Sequence, residues 1–273
     1  MQYKLIACDL DGTLLDSNGD LTQENYDAIT ELSRLGILVV PTTGRAFYES
    51  PRVVREHPAI KYFISSNGAI VQDLKNGVLH QSLIPGESVI KINKMARECK
   101  LMCTNHKNCS SFSMKEMLND DTMKEYNISK YFKKQIYDCT IPIDKYYDVF
   151  DSGEPCEMIA GCFRDDESKK DFFDEVDKIP DLRVTKTGNC IEIVSAFAGK
   201  ENGIKTLIDM LGFNNEEIIT VGDGENDINM LKMTRNSIAV SNASKEVKNV
   251  AGRVGCSNDE NIMCHIIKNL LQK

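Results

Sequence analysis

Asp9-Leu10-Asp11-Gly12-Thr13 follows the mostly apolar run Tyr3-Lys4-Leu5-Ile6-Ala7-Cys8. A short apolar run closed by a glycine turn reads as a buried strand. Two carboxylates therefore stand at a strand end, where parallel α/β sheets place their ligands. Asp9 and Asp11 are two residues apart and share a face while the chain is extended. Held so closely they repel one another unless a cation or a shared proton intervenes. Oxygen-only ligands in a tight cluster favour Mg2+, which usually works beside a substrate phosphate. One such aspartate can act as a nucleophile, and its neighbour can move a proton. An Asp-Gly turn without chemistry is also common after a strand.

Three later strand or helix ends carry matching chemistry. Thr22 is placed to cap a helix to about Leu35, with Ile29, Leu32 and Leu35 on its inner face and Gly36 as its stop. Strand 37–40 then ends in Pro41-Thr42-Thr43-Gly44-Arg45. A hydroxyl followed by glycine offers a side-chain donor and a closely approaching N–H to an anion. A helix is expected over 46–56 and a third strand over 60–64, ending in Ser65-Ser66-Asn67-Gly68-Ala69. Lys75-Asn76-Gly77 separates two β-type runs and predicts a hairpin. Lys200 opens a helix to about Leu211. Its charge opposes the helix dipole there, and a bound anion or nearby carboxylates would compensate. Strand 218–221 ends in Gly222-Asp223-Gly224-Glu225-Asn226-Asp227, which aims Asp223 at the same crevice. The spacing is not that of a calcium loop.

Between these stretches the pattern changes. Residues 85–188 hold expected helices at 88–99, 113–126 and 165–178, and strands at 157–163 and 182–185. A further strand, 190–194, is expected across the Gly188-Asn189 turn. The predicted organisation is a core of 1–84 and 189–273 interrupted by an inserted α/β domain, 85–188.

Read together, Asp9–Thr13, Thr43-Gly44-Arg45, Lys200 and Gly222–Asp227 resemble the four ordered motifs of the haloacid dehalogenase superfamily. The Thr-Gly-Arg and Asn-Gly-Ala strings resemble its Cof-like, IIB branch. The resemblance implies a Rossmann-like parallel-sheet core and a C2B-type cap that closes as a lid. It implies Mg2+ held by Asp9, Asp223 and Asp11, the last through its carbonyl. Asp9 is then the nucleophile, Asp11 the acid and base, and Lys200 the residue that orders Asp9. Thr43, Gly44, Lys200 and Asn226 hold the phosphate, with Asp227 in support. The family usually has a glycine directly after the lysine, where this chain has Glu201-Asn202-Gly203. The implied substrates are small phosphorylated metabolites of the sugar phosphate, FMN or pyridoxal phosphate type. Selectivity is expected from cap residues near Lys186–Asn189. A phosphomutase of the phosphomannomutase type, or a non-catalytic phosphometabolite-binding protein, fits the same motifs.

Composition agrees with a soluble enzyme. The 273 residues are 41% hydrophobic and 27% charged, with a formal net charge of −8. That balance disfavours a nucleic-acid partner, which asks for a basic face. No run of about eighteen apolar residues suggests a membrane span. No leader is visible before the first strand. Ten cysteines without a secretion signal read as reduced thiols of a cytoplasmic protein. Cys99, Cys103, His106 and Cys109 are zinc-ligand types, but their spacing matches no standard pairing. Nothing in the sequence specifies an oligomeric state.

Overall fold

A computed structural model describes residues 3–145 and 152–271. The chain divides into two units, Met1–His80 with Gly199–Lys273, and Gln81–Ala198.

The first unit is built on a five-stranded parallel sheet. Its order is Arg253–Val254, Ile238–Ala239, Ile218–Gly222, Leu5–Cys8, Leu38–Pro41. Leu5 pairs with both Ile218 and Leu38, which makes Leu5–Cys8 an interior strand. Its side chains alternate between two apolar layers. Ile6 and Cys8 join Ile29, Leu32 and Ile262 on one face. Leu5 and Ala7 join Ile204, Leu207 and Ile208 on the other. Burial on both faces explains why this strand reads as a continuous apolar run. The chain leaves Leu5–Cys8 toward one neighbour and returns on the other. This is the topological switch point at which such sheets bind ligands. A parallel bridge, Thr42 to Ile64, joins strand Tyr62–Ser65, which leads into an antiparallel hairpin of Ile70–Asp73 and Gly77–Gln81.

Two expectations change within this unit. Thr22 does cap the helix Gln23–Arg34, its hydroxyl accepting from the Asn25 N–H, and Ile29 and Leu32 are buried. Leu35 is instead the C-terminal cap and is 38% exposed, because the chain turns out of the helix at Gly36 (φ +78°). The helix expected over 46–56 is two separate turns, 47–49 and 52–55. Pro51 lacks the N–H that would continue the first turn into the second.

The second unit is a six-stranded sheet. Its order is Leu182–Thr187, Cys190–Ser195, Met158–Cys162, Met102–Lys107, Ser110–Met114, Thr140–Ile143. All neighbours are antiparallel except the last pair. Helices Gly86–Glu98 and Asp166–Val176 contribute Val89, Ile92, Phe172 and Val176 to an apolar layer with Ile159, Ile191 and Ile193. Phe172 is fully buried and meets Phe163 edge-on at 5.4 Å.

This unit carries three corrections and bears on one reading the sequence left open. Strands 182–187 and 190–195 are paired along their length, so both belong to it, and its bounds are 81–198 rather than 85–188. The helix expected over 113–126 is a strand to Met114, a turn, and the short helix Asp120–Glu125. Its start was hidden by the hairpin at Asn108 and Cys109, both at positive φ. Cys162 and Cys190 are not free thiols. They stand directly opposite one another on antiparallel strands and form a disulfide, because cross-strand neighbours bring their Cβ atoms together. The open reading concerns Cys103 and His106, which lie on opposite faces of one strand because they are three positions apart. Cys103 turns toward Asn93 and Asn105, so the cysteine-histidine set does not converge on one ion.

Phe172→Ala should lower the unfolding free energy by about 3–5 kcal/mol. Urea denaturation followed by circular dichroism measures it. A loss below about 1 kcal/mol would contradict a close-packed layer at this ring.

Candidate active site

Asp9 is the first residue after strand Leu5–Cys8, and its N–H donates to the Val221 carbonyl at 3.0 Å. That bond carries the strand register into the turn and fixes where the carboxylate leaves the sheet. The chain then bends sharply at Asp11 (φ −72°, ψ 122°) and Gly12 (φ +72°). Gly12 is required twice over. Its φ is left-handed, and a Cβ there would lie 2.6 Å from an Asp223 carboxylate oxygen.

Lys200 reaches this point from the first turn of helix Lys200–Leu211. Its Nζ donates to Asp9 Oδ1 at 2.5 Å and to Asp227 Oδ1 at 2.6 Å. Lys200 is 1% exposed, Asp227 0% and Asp9 6%. The helix start is seated by close backbone approach. A Cβ on Gly68 would lie 2.0 Å from the Gly199 carbonyl oxygen, and one on Gly203 would lie 2.8 Å from Ile64. Gly203, three residues after the lysine, thus gives the helix room to approach the sheet.

The loop after strand Ile218–Gly222 supplies the other two acids. The second Asp227 oxygen accepts the N–H groups of Asp223 and Gly224, each at 2.9 Å. The Asp223 carboxylate accepts from the Thr13 hydroxyl at 2.7 Å. Among the described residues, Asp9, Asp223 and Asp227 bring one carboxylate oxygen apiece within 4.8 Å of one another.

The electrostatics follow from burial. Loss of water raises the Asp9 carboxyl well above the usual range; Lys200 opposes this, while Asp227, Asp223 and Asp11 add to it. Burial also leads at Asp223, reinforced by Asp227 and opposed by the Thr13 hydrogen bond and Lys200, and its pKa is pushed up to about 6. Burial disfavours the Lys200 ammonium, but Asp227 and Asp9 outweigh it and its pKa is raised. An all-oxygen donor set whose carboxylates resist ionisation fits a hard divalent cation.

The remaining expected residues fall nearby. Thr43 is buried, and its hydroxyl accepts the Arg45 N–H at 3.1 Å. Gly44 lies between them, half-buried. Asn226 donates to the Asn67 side chain at 3.0 Å. The Asp11 carboxylate is outside the acidic cluster. It forms an ion pair with Arg45, whose Nε donates to Oδ2 at 2.7 Å and whose Nη2 donates to Oδ1. Three residues had no role in the sequence reading: Arg45, Asn67 and Thr13. The signal for Arg45 was a cation placed one residue past the Thr-Gly turn. For Asn67 it was an Asn-Gly string at a strand end.

Residues 6–267 match the haloacid dehalogenase-like hydrolase family. The chain belongs to that family. It is 30% identical to the 5-amino-6-(5-phospho-D-ribitylamino)uracil phosphatase YwtE of Bacillus subtilis, over 98% of each chain. Among solved structures it is similar to a haloacid dehalogenase-like hydrolase from B. subtilis (27% identity, TM-score 0.83, 98% of this chain and 100% of that one). The subclass IIB sugar phosphatase BT4131 shares the fold at 21% identity and a TM-score of 0.81, with 97% of this chain and 98% of that one covered. The two-unit α/β architecture is that of the haloacid dehalogenase-like hydrolases.

Because the folded Asp223 pKa of about 6 lies above its ordinary 3.8, protonation favours the metal-free fold. That contribution is full below pH 3.8 and is lost as pH rises through about 6. In EDTA, Asp223→Asn should therefore exceed the parent in stability at pH 7.5 by about 1–3 kcal/mol. The gap should shrink toward pH 4. Urea titrations at the two pH values measure it, and a parent as stable as the variant at pH 7.5 would contradict the charge crowding.

Proposed function

We propose that this chain is a Mg2+-dependent phosphatase that hydrolyses small phosphorylated metabolites through an aspartyl-phosphate on Asp9. The observation that carries the reading is Asp9 itself, buried at the end of strand Leu5–Cys8, hydrogen-bonded to Lys200 and with an Asp223 carboxylate oxygen within 4.8 Å. A relative named for a small phosphorylated substrate supports the class.

Asp9, Asp223 and the Asp11 carbonyl would hold Mg2+. When bound, Mg2+ offsets the repulsion between an anionic nucleophile and an anionic substrate. A carboxylate oxygen of Asp9 attacks phosphorus as the bond from phosphorus to the leaving oxygen breaks. Asp11 gives its proton to that oxygen. A water then attacks phosphorus, the bond to Asp9 breaks, and Asp11 takes the water's proton. Lys200 holds Asp9 in line and, with Thr43, Gly44 and Asn226, bears charge on the transferring group. Asp227 keeps the Lys200 ammonium in place through its own two backbone anchors.

The second unit is read as the cap that selects the substrate, of the sugar phosphate, FMN or pyridoxal phosphate type. Among the described residues no helix is long and apolar enough to cross a membrane. Eight free cysteines accord with a cytoplasmic setting, whereas the Cys162–Cys190 disulfide counts against it, because such bonds are rare in the cytosol.

Asp9→Asn should lower kcat on p-nitrophenyl phosphate by at least about 10³-fold, with an unchanged circular dichroism spectrum. EDTA should abolish parent turnover, and Mg2+ should restore it. A panel of phosphorylated metabolites then orders the substrates. Parent-like turnover by Asp9→Asn would remove the nucleophile from this scheme.

A further inference from the structure

The proposed chemistry leaves one strong contact unused, the Arg45–Asp11 pair. Arg45 is tied down along its whole length. Its N–H donates to the Thr43 hydroxyl at 3.1 Å, and its carbonyl accepts the Ser66 N–H at 2.8 Å. Nη1 donates to the Glu49 carbonyl at 3.0 Å. Glu49 is itself buried and accepts the Ala46 N–H at 2.9 Å. The short turn 47–49 thereby fixes the plane of the guanidinium. That plane engages both oxygens of Asp11. The Arg45 side chain is 10% exposed and that of Asp11 31%, so the cation is the more rigidly held partner.

We infer that Arg45 is the positioning residue for Asp11. It sets the direction of the carboxyl group that exchanges a proton with the leaving oxygen. The inference rests on the acid–base reading of Asp11 given above. An acid must lie within about 2.6–3.2 Å of the atom it protonates. A displacement of about 1 Å costs on the order of 10²-fold. A half-exposed aspartate has several open rotamers. A planar fork that takes both oxygens reduces these to one, and a lysine ammonium, a point donor, does not. In the step itself, the Asp11 O–H bond breaks as the leaving oxygen's O–H bond forms. The electron pair of the broken bond to phosphorus stays on that oxygen.

Leaving-group dependence separates this role from a merely structural one. p-Nitrophenolate departs without help, whereas unsubstituted phenolate, of nearly the same shape, benefits from a proton. Full-length parent, Arg45→Lys, Arg45→Gln and Asp11→Asn are compared with Mg2+ on p-nitrophenyl, phenyl and p-methoxyphenyl phosphate. Arg45→Lys and Arg45→Gln should each lose about 10²-fold in kcat/KM on phenyl phosphate. They should lose less than about 5-fold on p-nitrophenyl phosphate, with KM little changed, and p-methoxyphenyl phosphate should fall furthest. Asp11→Asn should show the same selectivity more strongly. Equal losses on all three esters in both Arg45 variants, beside a selective loss in Asp11→Asn, would overturn the role of Arg45 and leave that of Asp11 standing. A common rise in KM would overturn it too, by making Arg45 a phosphate ligand. If Asp11→Asn were itself unselective, the acid–base reading would fail, and this inference with it.

Discussion

The Lys200 ammonium, held between Asp9 and Asp227 and shut off from water, is the contact on which the site depends. Three charges out of solvent cost several kcal/mol each before pairing. They are tolerable here because each is met by partners at hydrogen-bond distance. Lys200 has two carboxylates, and the second oxygen of Asp227 has two main-chain N–H groups. Removing one member would strand another, so the three act as a unit. The backbone is shaped around them. Gly222 leaves room for the Asp227 side chain, whose Cγ would lie 2.5 Å from a Cβ at that position. The contact of Gly68 with Gly199 sets the start of the lysine's helix.

That unit does not balance the whole site. Asp9, Asp11, Asp223 and Asp227 face the two cations Lys200 and Arg45, both already engaged. The excess is felt at Asp9 and Asp223, where burial and neighbouring carboxylates both push toward protonation. A fold optimised for stability alone would place fewer acids here. Clusters of this kind are retained where a bound cation carries the missing charge.

Much of this was legible in the sequence because the chemistry stands at strand ends. Apolar runs closed by glycine, with acids or hydroxyls just beyond them, mark both the sheet and its ligand-binding edge. Asp9, Thr43, Lys200 and Asp223 stand out in the sequence on this ground, and the structure brings Asp9, Lys200 and Asp223 together. What stayed hidden depends on contacts distant in sequence. Asp11 and Arg45 are thirty-four residues apart, and no local pattern pairs them. Cys162 and Cys190 meet only through sheet register. Leu35 has the right helical phase to be buried, yet the helix ends before it. The stretch 113–126 has helix-forming composition, but pairing with Met102–Lys107 draws its start into a strand. The edge of the second unit was misplaced for the same reason, since only pairing shows that 190–195 belongs with 182–187.

The two cations also explain their own chemical types. Lys200 must reach two separate carboxylates in a cramped, dry space. A compact ammonium on a flexible stem can donate to both, while a guanidinium would demand a coplanar pair and more volume. Arg45 faces one carboxylate near the surface, where water competes and rotamers are open. There the fork is the better donor, because two parallel bonds fix a plane where a point charge would leave it free. The buried lysine thus holds the group proposed to attack phosphorus, and the arginine holds the group proposed to move the proton. Exchanging the two residue types would keep the net charge of the site and lose both geometries.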